Sequence, residues 1–270
     1  MDIALVLSFL VLGAAVGFMA GLLGIGGGML LVPFITMLLA YKAFPEALIV
    51  HMAIATSLAT IMFTSISSVR AHHKRGAVIW PIVKLFTPGI LLGSWIGPWI
   101  GKQMNATVLA AFFGVFVMAS ATQMLIDRKP SATRELPNAG SMFAAGAAIG
   151  ILSGLVGAGG AFVSVPFMTW CNVKIHNAVA TSAALGFSIA LAGTLSNIYY
   201  GMQVADLPAG SLGFVYLPAL LVVSATSVLT APLGARTAHA IPVQSLRKIF
   251  AAMLYILGGY MLYKGYRMGS

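Results

Sequence analysis

The chain has 270 residues, 60% of them apolar and only 7% charged, with a mean hydropathy of +0.98. An ordinary soluble domain carries about 25% charged residues. The composition therefore excludes a soluble enzyme, a secreted disulfide scaffold and a disordered tail, and leaves an all-α polytopic membrane protein. The net charge of +10 sits in short loops between apolar runs, as expected for a membrane protein, which speaks against nucleic acid as a partner.

In chain order, a Gly-rich apolar run over about 3–24 comes first. It reads as a retained membrane helix rather than a cleaved leader, because Met1-Asp2-Ile3 supplies no basic segment. The cluster Gly24, Gly26, Gly27 and Gly28 then turns into a short helix over about 29–40. Longer apolar runs follow at 47–69, 78–100 and 105–126. The basic stretch Asp127–Pro137 lies in a cytoplasmic linker, 127–140, after which the same order returns at 141–157, 161–172, 178–200, 211–234 and 246–265. Each short helix has about twelve residues, or ~18 Å of rise, too little to cross a ~30 Å hydrocarbon core upright.

The return is a tandem duplication. Residues 13–34 and 146–167 are identical at twelve of twenty-two positions, including Gly24/Gly157, Gly26/Gly159, Gly27/Gly160 and Pro33/Pro166. Ala55-Thr56-Ser57 matches Ala180-Thr181-Ser182, and Phe113 pairs with Phe250. The repeats are 1–126 and 141–268. If each Gly-rich helix and its short partner form one broken span, the repeats are parallel. If they form a re-entrant or crossing hairpin, the repeats are inverted.

Charge bears on the choice. A parallel arrangement splits the loop cations 8 to 6, whereas an inverted one gathers ten on one side. Those ten are Arg70, Lys74, Arg75, Arg128, Lys129, Arg134, Lys174, Arg236, Arg247 and Lys248, against Lys42, Lys102, Lys264 and Arg267. The positive-inside rule prefers the inverted arrangement with both termini outside.

The Gly turn before each short helix is the feature richest in chemistry. Glycine permits positive φ and close backbone approach, and a helix N-terminus offers unpaired N–H groups at the positive end of its dipole. In an inverted duplication two such ends meet near the pseudo-twofold axis, making an anion site without a buried charged side chain. The upstream glycines Gly13, Gly17, Gly21 and Gly24 lie on one helix face, where close helix packing accounts for them.

Several other residues carry two readings. Thr56, Ser57, Thr181 and Ser182 either bond a carbonyl one turn back or donate to substrate oxygens. Pro33 and Pro166 each free a backbone carbonyl, as a packing kink or as a hinge. Asn197 stands where the first half has His72, and either could line a cavity mouth, although a loop position among Arg70, Lys74 and Arg75 suits His72. His51, near Glu46 at the start of a span, reads as a surface histidine that could also take up protons near neutral pH. The five acids, Asp2, Glu46, Asp127, Glu135 and Asp206, lie at a terminus, in loops or at segment edges, which counts against a cation substrate. Cys171 is the sole cysteine, so neither a disulfide nor a cysteine metal cluster is available.

The paired GlxGiGGG-xxxVPf and GlvGaGGa-xxsvPf elements, each followed by an Ala-Thr-Ser triplet, resemble the TauE/SafE family of sulfite and organosulfonate exporters, and the likeness covers essentially the whole chain. The resemblance implies transport of sulfur-containing anions such as sulfite or sulfoacetate, usually outward across a bacterial inner membrane. By matching motif it makes Gly24, Gly26, Gly27, Gly157, Gly159, Gly160, Thr56, Ser57, Thr181 and Ser182 substrate-pathway candidates. Ala161 stands where the first half has Gly28, so the two half-sites differ.

The expected partners are a small anion and membrane lipid, with proton coupling and a homo-oligomer left open and no nucleic acid. No cofactor, metal or catalytic residue is expected, since the sequence contains neither HExxH, GxSxG nor a P-loop. The competing readings are an importer of another small anion, sulfate or a carboxylate, and a non-transport membrane scaffold.

Overall fold

The computed structural model describes residues 3–23, 27–126, 136–238 and 243–269, in which the long apolar runs become helices and clusters of Gly, Pro and Asn become the turns between them. The first half gives α1 (Ile3–Leu23), α2 (Gly28–Tyr41), α3 (Glu46–Lys74), α4 (Trp80–Gln103) and α5 (Ala106–Ile126). The second gives α6 (Ala139–Val156), α7 (Ala161–Trp170), α8 (Ile175–Gly201), α9 (Leu217–Ala238) and α10 (Val243–Gly269). Local chemistry fixes several ends. Pro81 opens α4 where a missing N–H costs nothing, and the Asn138 side chain caps α6 by accepting from the Ser141 amide at 2.9 Å.

One element departs from the expected pattern. The run expected as helix over 211–234 begins instead with a small antiparallel hairpin, β1 (Ser211–Leu212) and β2 (Val215–Tyr216), and α9 starts only at Leu217. Gly210 and Gly213 at φ 86° and 56° bend the chain in a way a right-handed helix does not allow. Elsewhere α3 and α8 run longer than the apolar stretches that seeded them, 29 and 27 residues, because polar end turns such as His72–Lys74 stay helical.

Among the described residues four helices are long and apolar enough to cross a membrane: α3, α5, α6 and α8. The most apolar windows of α3 and α8 are 72% and 67% buried, against 39% and 44% for α5 and α6. A helix apolar all round and mostly buried belongs at the centre of a bundle, so α3 and α8 form its core. On the outer helices Val11, Val115, Leu229 and Ile256 are exposed, which suits hydrocarbon rather than water. The chain is a multi-pass membrane protein.

Around the central pair, α1 packs on α9, α6 on α4 and α5 on α10. The α4–α6 contact is made by small residues. A Cβ at Gly150 would lie 2.6 Å from the Ile90 carbonyl oxygen, and one at Gly97 would lie 2.7 Å from that of Ile151. The α1–α9 contact adds hydroxyl bonds, from Ser227 Oγ to the Gly13 carbonyl and from Thr230 Oγ1 to that of Ala14, both 2.9 Å. Gly13 and Gly17 thus serve close packing, as their spacing suggested.

Three contacts tie helix ends together. Lys264 near the end of α10 pairs with Glu46 at the start of α3 at 3.1 Å. Lys102 at the end of α4 donates to Gln203, just past α8, at 2.7 Å. Asn177 at the start of α8 donates to the Ala77 carbonyl, just past α3, at 2.9 Å.

Candidate substrate site

The site is built from two glycine turns that meet beside α3. Gly27 precedes α2 at φ 62°, ψ −10°, and Gly160 precedes α7 at φ 74°, ψ −5°. This left-handed geometry is costly for residues with a Cβ. Both glycines swing the chain so that a helix begins at once. The first ladder bonds run to Gly27 O from the Leu30 and Leu31 amides and to Gly160 O from the Val163 and Ser164 amides. The amides of Gly28, Met29, Ala161 and Phe162 precede those bonds and have no acceptor within their own helices.

The approach of the two turns is close. A Cβ on Gly28 would stand 2.8 Å from the Gly157 carbonyl oxygen and 3.2 Å from Ala158 Cα. On the other side, a Cβ on Gly186 of α8 would stand 3.2 Å from the Gly159 oxygen. Ser57 fastens the junction. Its buried Oγ shares one hydrogen between the carbonyls of Gly28 at 3.2 Å and Gly157 at 2.9 Å. The equivalent Ser182 instead pairs with Ser164 Oγ on α7 at 2.7 Å. Ser164 is a polar residue that motif matching alone passes over. Its signal in the sequence was a hydroxyl one turn past Gly160 in the apolar first half of α7.

Thr56 and Thr181 occupy a different layer. Thr56 Oγ1 accepts from the Tyr216 amide and Thr181 Oγ1 from the Ile79 amide, each at 3.0 Å. Ile79 and Tyr216 immediately precede α4 and α9, so each threonine pins the entry to an outer helix. Pro33 is buried in α2 and Pro166 half-buried in α7, and both helices continue through them. The start of α2 is wholly buried, whereas Ala161, Phe162 and Val163 at the start of α7 are half-exposed. Gly24 and Gly26 lie outside the described residues.

The pathway candidates separate. Asn197 is buried, its Nδ2 donating to the Gly193 carbonyl at 2.8 Å, and it lines a partly open recess with His51. His51 was expected at the surface. It is buried instead, because α3 begins against the end of α4 and the hairpin, where Nε2 bonds the Gly101 carbonyl at 3.0 Å and the ring packs on Phe214. His72 is half-buried in the last turn of α3, away from that recess. Among the described residues, no three His, Cys, Asp or Glu side chains come together in a way that would hold a metal.

The family model for the sulfite exporter TauE/SafE matches residues 9–261. The chain belongs to the TauE/SafE family. It is 37% identical over 261 residues to a "Probable membrane transporter protein" of Haemophilus influenzae, covering 96% of this chain and 98% of that one. A "Probable membrane transporter protein" of Methanocaldococcus jannaschii is 26% identical over 258 residues, 94% of each chain. A further relative from Bacillus subtilis, with the same description, is 26% identical over 277 residues, 94% of this chain and 96% of its own. No solved structure is significantly similar. Family and relatives agree on a membrane transporter, and the glycine turns of this TauE/SafE member fall inside the matched span.

Proposed function

We propose that this TauE/SafE member is a secondary transporter that carries a small sulfur-containing anion, sulfite or an organosulfonate such as sulfoacetate, outward across the bacterial inner membrane. The observation that carries the reading is the meeting of the Gly27–Gly28 and Gly157–Gly160 turns beside Ser57. The helix-start amides of Gly28, Met29, Ala161 and Phe162, which lack an acceptor within their own helices, supply several donors near this junction, and that suits an anion with several oxygens around one sulfur. They do so without the buried lysine or arginine that costs about 2.5–3.5 kcal/mol on the membrane-insertion scale.

Alternating access between inverted repeats, 1–126 and 141–268, is the mechanism that fits. Exchanging the first five helices for the last five maps α1·α9 onto α6·α4 and returns α3·α8 and α5·α10 to themselves. The end contacts support the inverted sense. If the halves ran parallel, Glu46 and Lys264 would sit on opposite membrane faces, as would Lys102 and Gln203, and Ala77 and Asn177. Each pair is in contact. The mismatch between a buried α2 start and a half-exposed α7 start is what a pair of half-sites opened one at a time would present.

The test is ligand-dependent thermal stabilisation in detergent against sulfite, sulfoacetate, taurine, sulfate, acetate and chloride. Saturation at a hundredfold over Kd stabilises the folded state by about 2.7 kcal/mol. Selective stabilisation by sulfite or a sulfonate is expected, lost in Gly160→Leu. Stabilisation by sulfate or acetate alone refutes the substrate class. Equal stabilisation of Gly160→Leu refutes the site.

A further inference from the structure

Beyond the glycine turns, the recess beside α3 holds a titratable side chain that the anion site does not use. His51 is 9% exposed, and its Nε2 lies 3.0 Å from the Gly101 carbonyl oxygen. A carbonyl only accepts, so Nε2 must carry the hydrogen, and in the neutral ring Nδ1 is left with a lone pair. That nitrogen is buried and has no hydrogen-bond partner. His51 lines a small recess of about 10 Å³, room for about one water, together with Ile54, Pro98, Leu109 and Asn197.

We propose that His51 is the proton-binding residue of this transporter, taking up a proton on Nδ1 from water in the recess and so becoming an imidazolium. No bond other than N–H forms, and the proton comes from hydronium or leaves to water.

The charged groups around the ring explain what the proton would do. On α3, Glu46 is more than a turn away and paired with Lys264. On α4, Lys102 follows Gly101 but is engaged by Gln203 and lies over the Tyr200 ring of α8. The residues lining the recess from α5, α6 and α8 are Leu109, Gly154, Leu155 and Asn197, none of them charged. The hairpin presents Phe214. Among the described residues no carboxylate lines the recess, so an imidazolium there lacks a fixed counter-charge from them, and a bound anion is what would supply one.

The anion site is near enough to do so. Ser57 is six residues further along α3, about 9 Å of helix rise, and Gly154 and Leu155 of the recess lead directly to the Gly157 turn. At that separation and an effective dielectric near 20, opposite unit charges change each other's affinity roughly twentyfold. The linkage is reciprocal, so proton uptake tightens the anion and the anion tightens the proton. The coupling rests on the transport reading above, whereas the proton site does not.

Two measurements test this. The first is nitrogen NMR of histidine-labelled full-length protein in lipid nanodiscs, with His51→Gln assigning the resonance. An Nε2-protonated neutral ring that converts reversibly to imidazolium as pH falls is expected. An Nδ1-protonated ring, or one that does not titrate, overturns the proton site. If His51→Gln fails to fold, subtraction using His72, His73, His176 and His239 substitutions assigns the same signal. The second is sulfoacetate binding as a function of pH, since that anion keeps a constant charge across the range. Affinity in the unsubstituted protein should fall by roughly twentyfold or more as pH rises, since sulfoacetate is a dianion, and stay flat in His51→Gln, whose amide can still donate to Gly101. Equal pH dependence in both proteins overturns the coupling. Absence of sulfoacetate binding at every pH overturns the substrate reading instead, and the NMR titration then decides the proton site by itself.

Discussion

Alanine at Gly28 isolates the close approach of the two turns from backbone conformation, because Gly28 is the first residue of α2 and not left-handed. Its Cβ would lie 2.5 Å from Ile61 Cδ1, 2.8 Å from the Gly157 oxygen and 3.2 Å from Ala158 Cα. Ile61 can rotate its terminal methyl away, but the Gly157 carbonyl is held by Ser57 at 2.9 Å and cannot retreat cheaply. Overpacking of this kind costs about 1–3 kcal/mol, while alanine returns up to about 1 kcal/mol of helix propensity. The net expectation for Gly28→Ala is a loss of about 0–2 kcal/mol, with a larger fall in flux because the turns are forced apart. The assays are thermal unfolding in detergent and sulfoacetate counterflow in proteoliposomes. Gly28→Ala/Ile61→Val should remain impaired, since it relieves only the side-chain contact. Flux within twofold of the unsubstituted protein, at unchanged melting temperature, would refute the claim that backbone proximity defines the site.

Thr56→Val and Thr181→Val should each destabilise by about 1–3 kcal/mol, read by thermal unfolding, because the Tyr216 or Ile79 amide loses its buried acceptor. Ser182→Ala and Ser164→Ala should be non-additive, the double variant losing little more than either single one, since the two hydroxyls bond each other at 2.7 Å. Fully additive losses would mean that they act apart. The inverted sense is checked in a Cys171→Ser background. Single cysteines at Glu46 and Lys264 should react with a membrane-impermeant thiol reagent from the same side, and the double variant should crosslink. Labelling from opposite sides would restore the parallel arrangement.

The helices were legible because hydrocarbon imposes long uninterrupted apolar runs, and the internal sequence likeness was legible because its glycines recur in one register. That Gly13 and Gly17 serve close packing followed from their four-residue spacing, whereas their partner, α9, did not. The two-sided readings were harder. Whether a threonine in a membrane helix bonds a carbonyl one turn back or an amide from another helix depends on what lies alongside, and Tyr216 is 160 residues from Thr56. The hairpin at 211–216 was hidden in a run apolar enough to read as helix, and only Gly210 and Gly213 hinted at it.

His51 makes the limit concrete. Both central helices carry a similar run, His51-Met52-Ala53-Ile54-Ala55-Thr56-Ser57 and His176-Asn177-Ala178-Val179-Ala180-Thr181-Ser182, so sequence treats the two histidines as equivalents, although α3 starts five residues before its histidine and α8 one. In the fold His176 is exposed, while His51 is covered by Phe214 from the hairpin and fastened to the end of α4. The covering segment is the part of the duplication that does not repeat. The first half reaches α4 through Gly76–Ile79, whereas the second inserts residues 202–216 before α9. The hairpin segment thus covers one member of the pair and leaves the other at the surface. Under the proposed alternating access between inverted repeats, a proton site at His51 with no counterpart at His176 would make the two half-sites unequal.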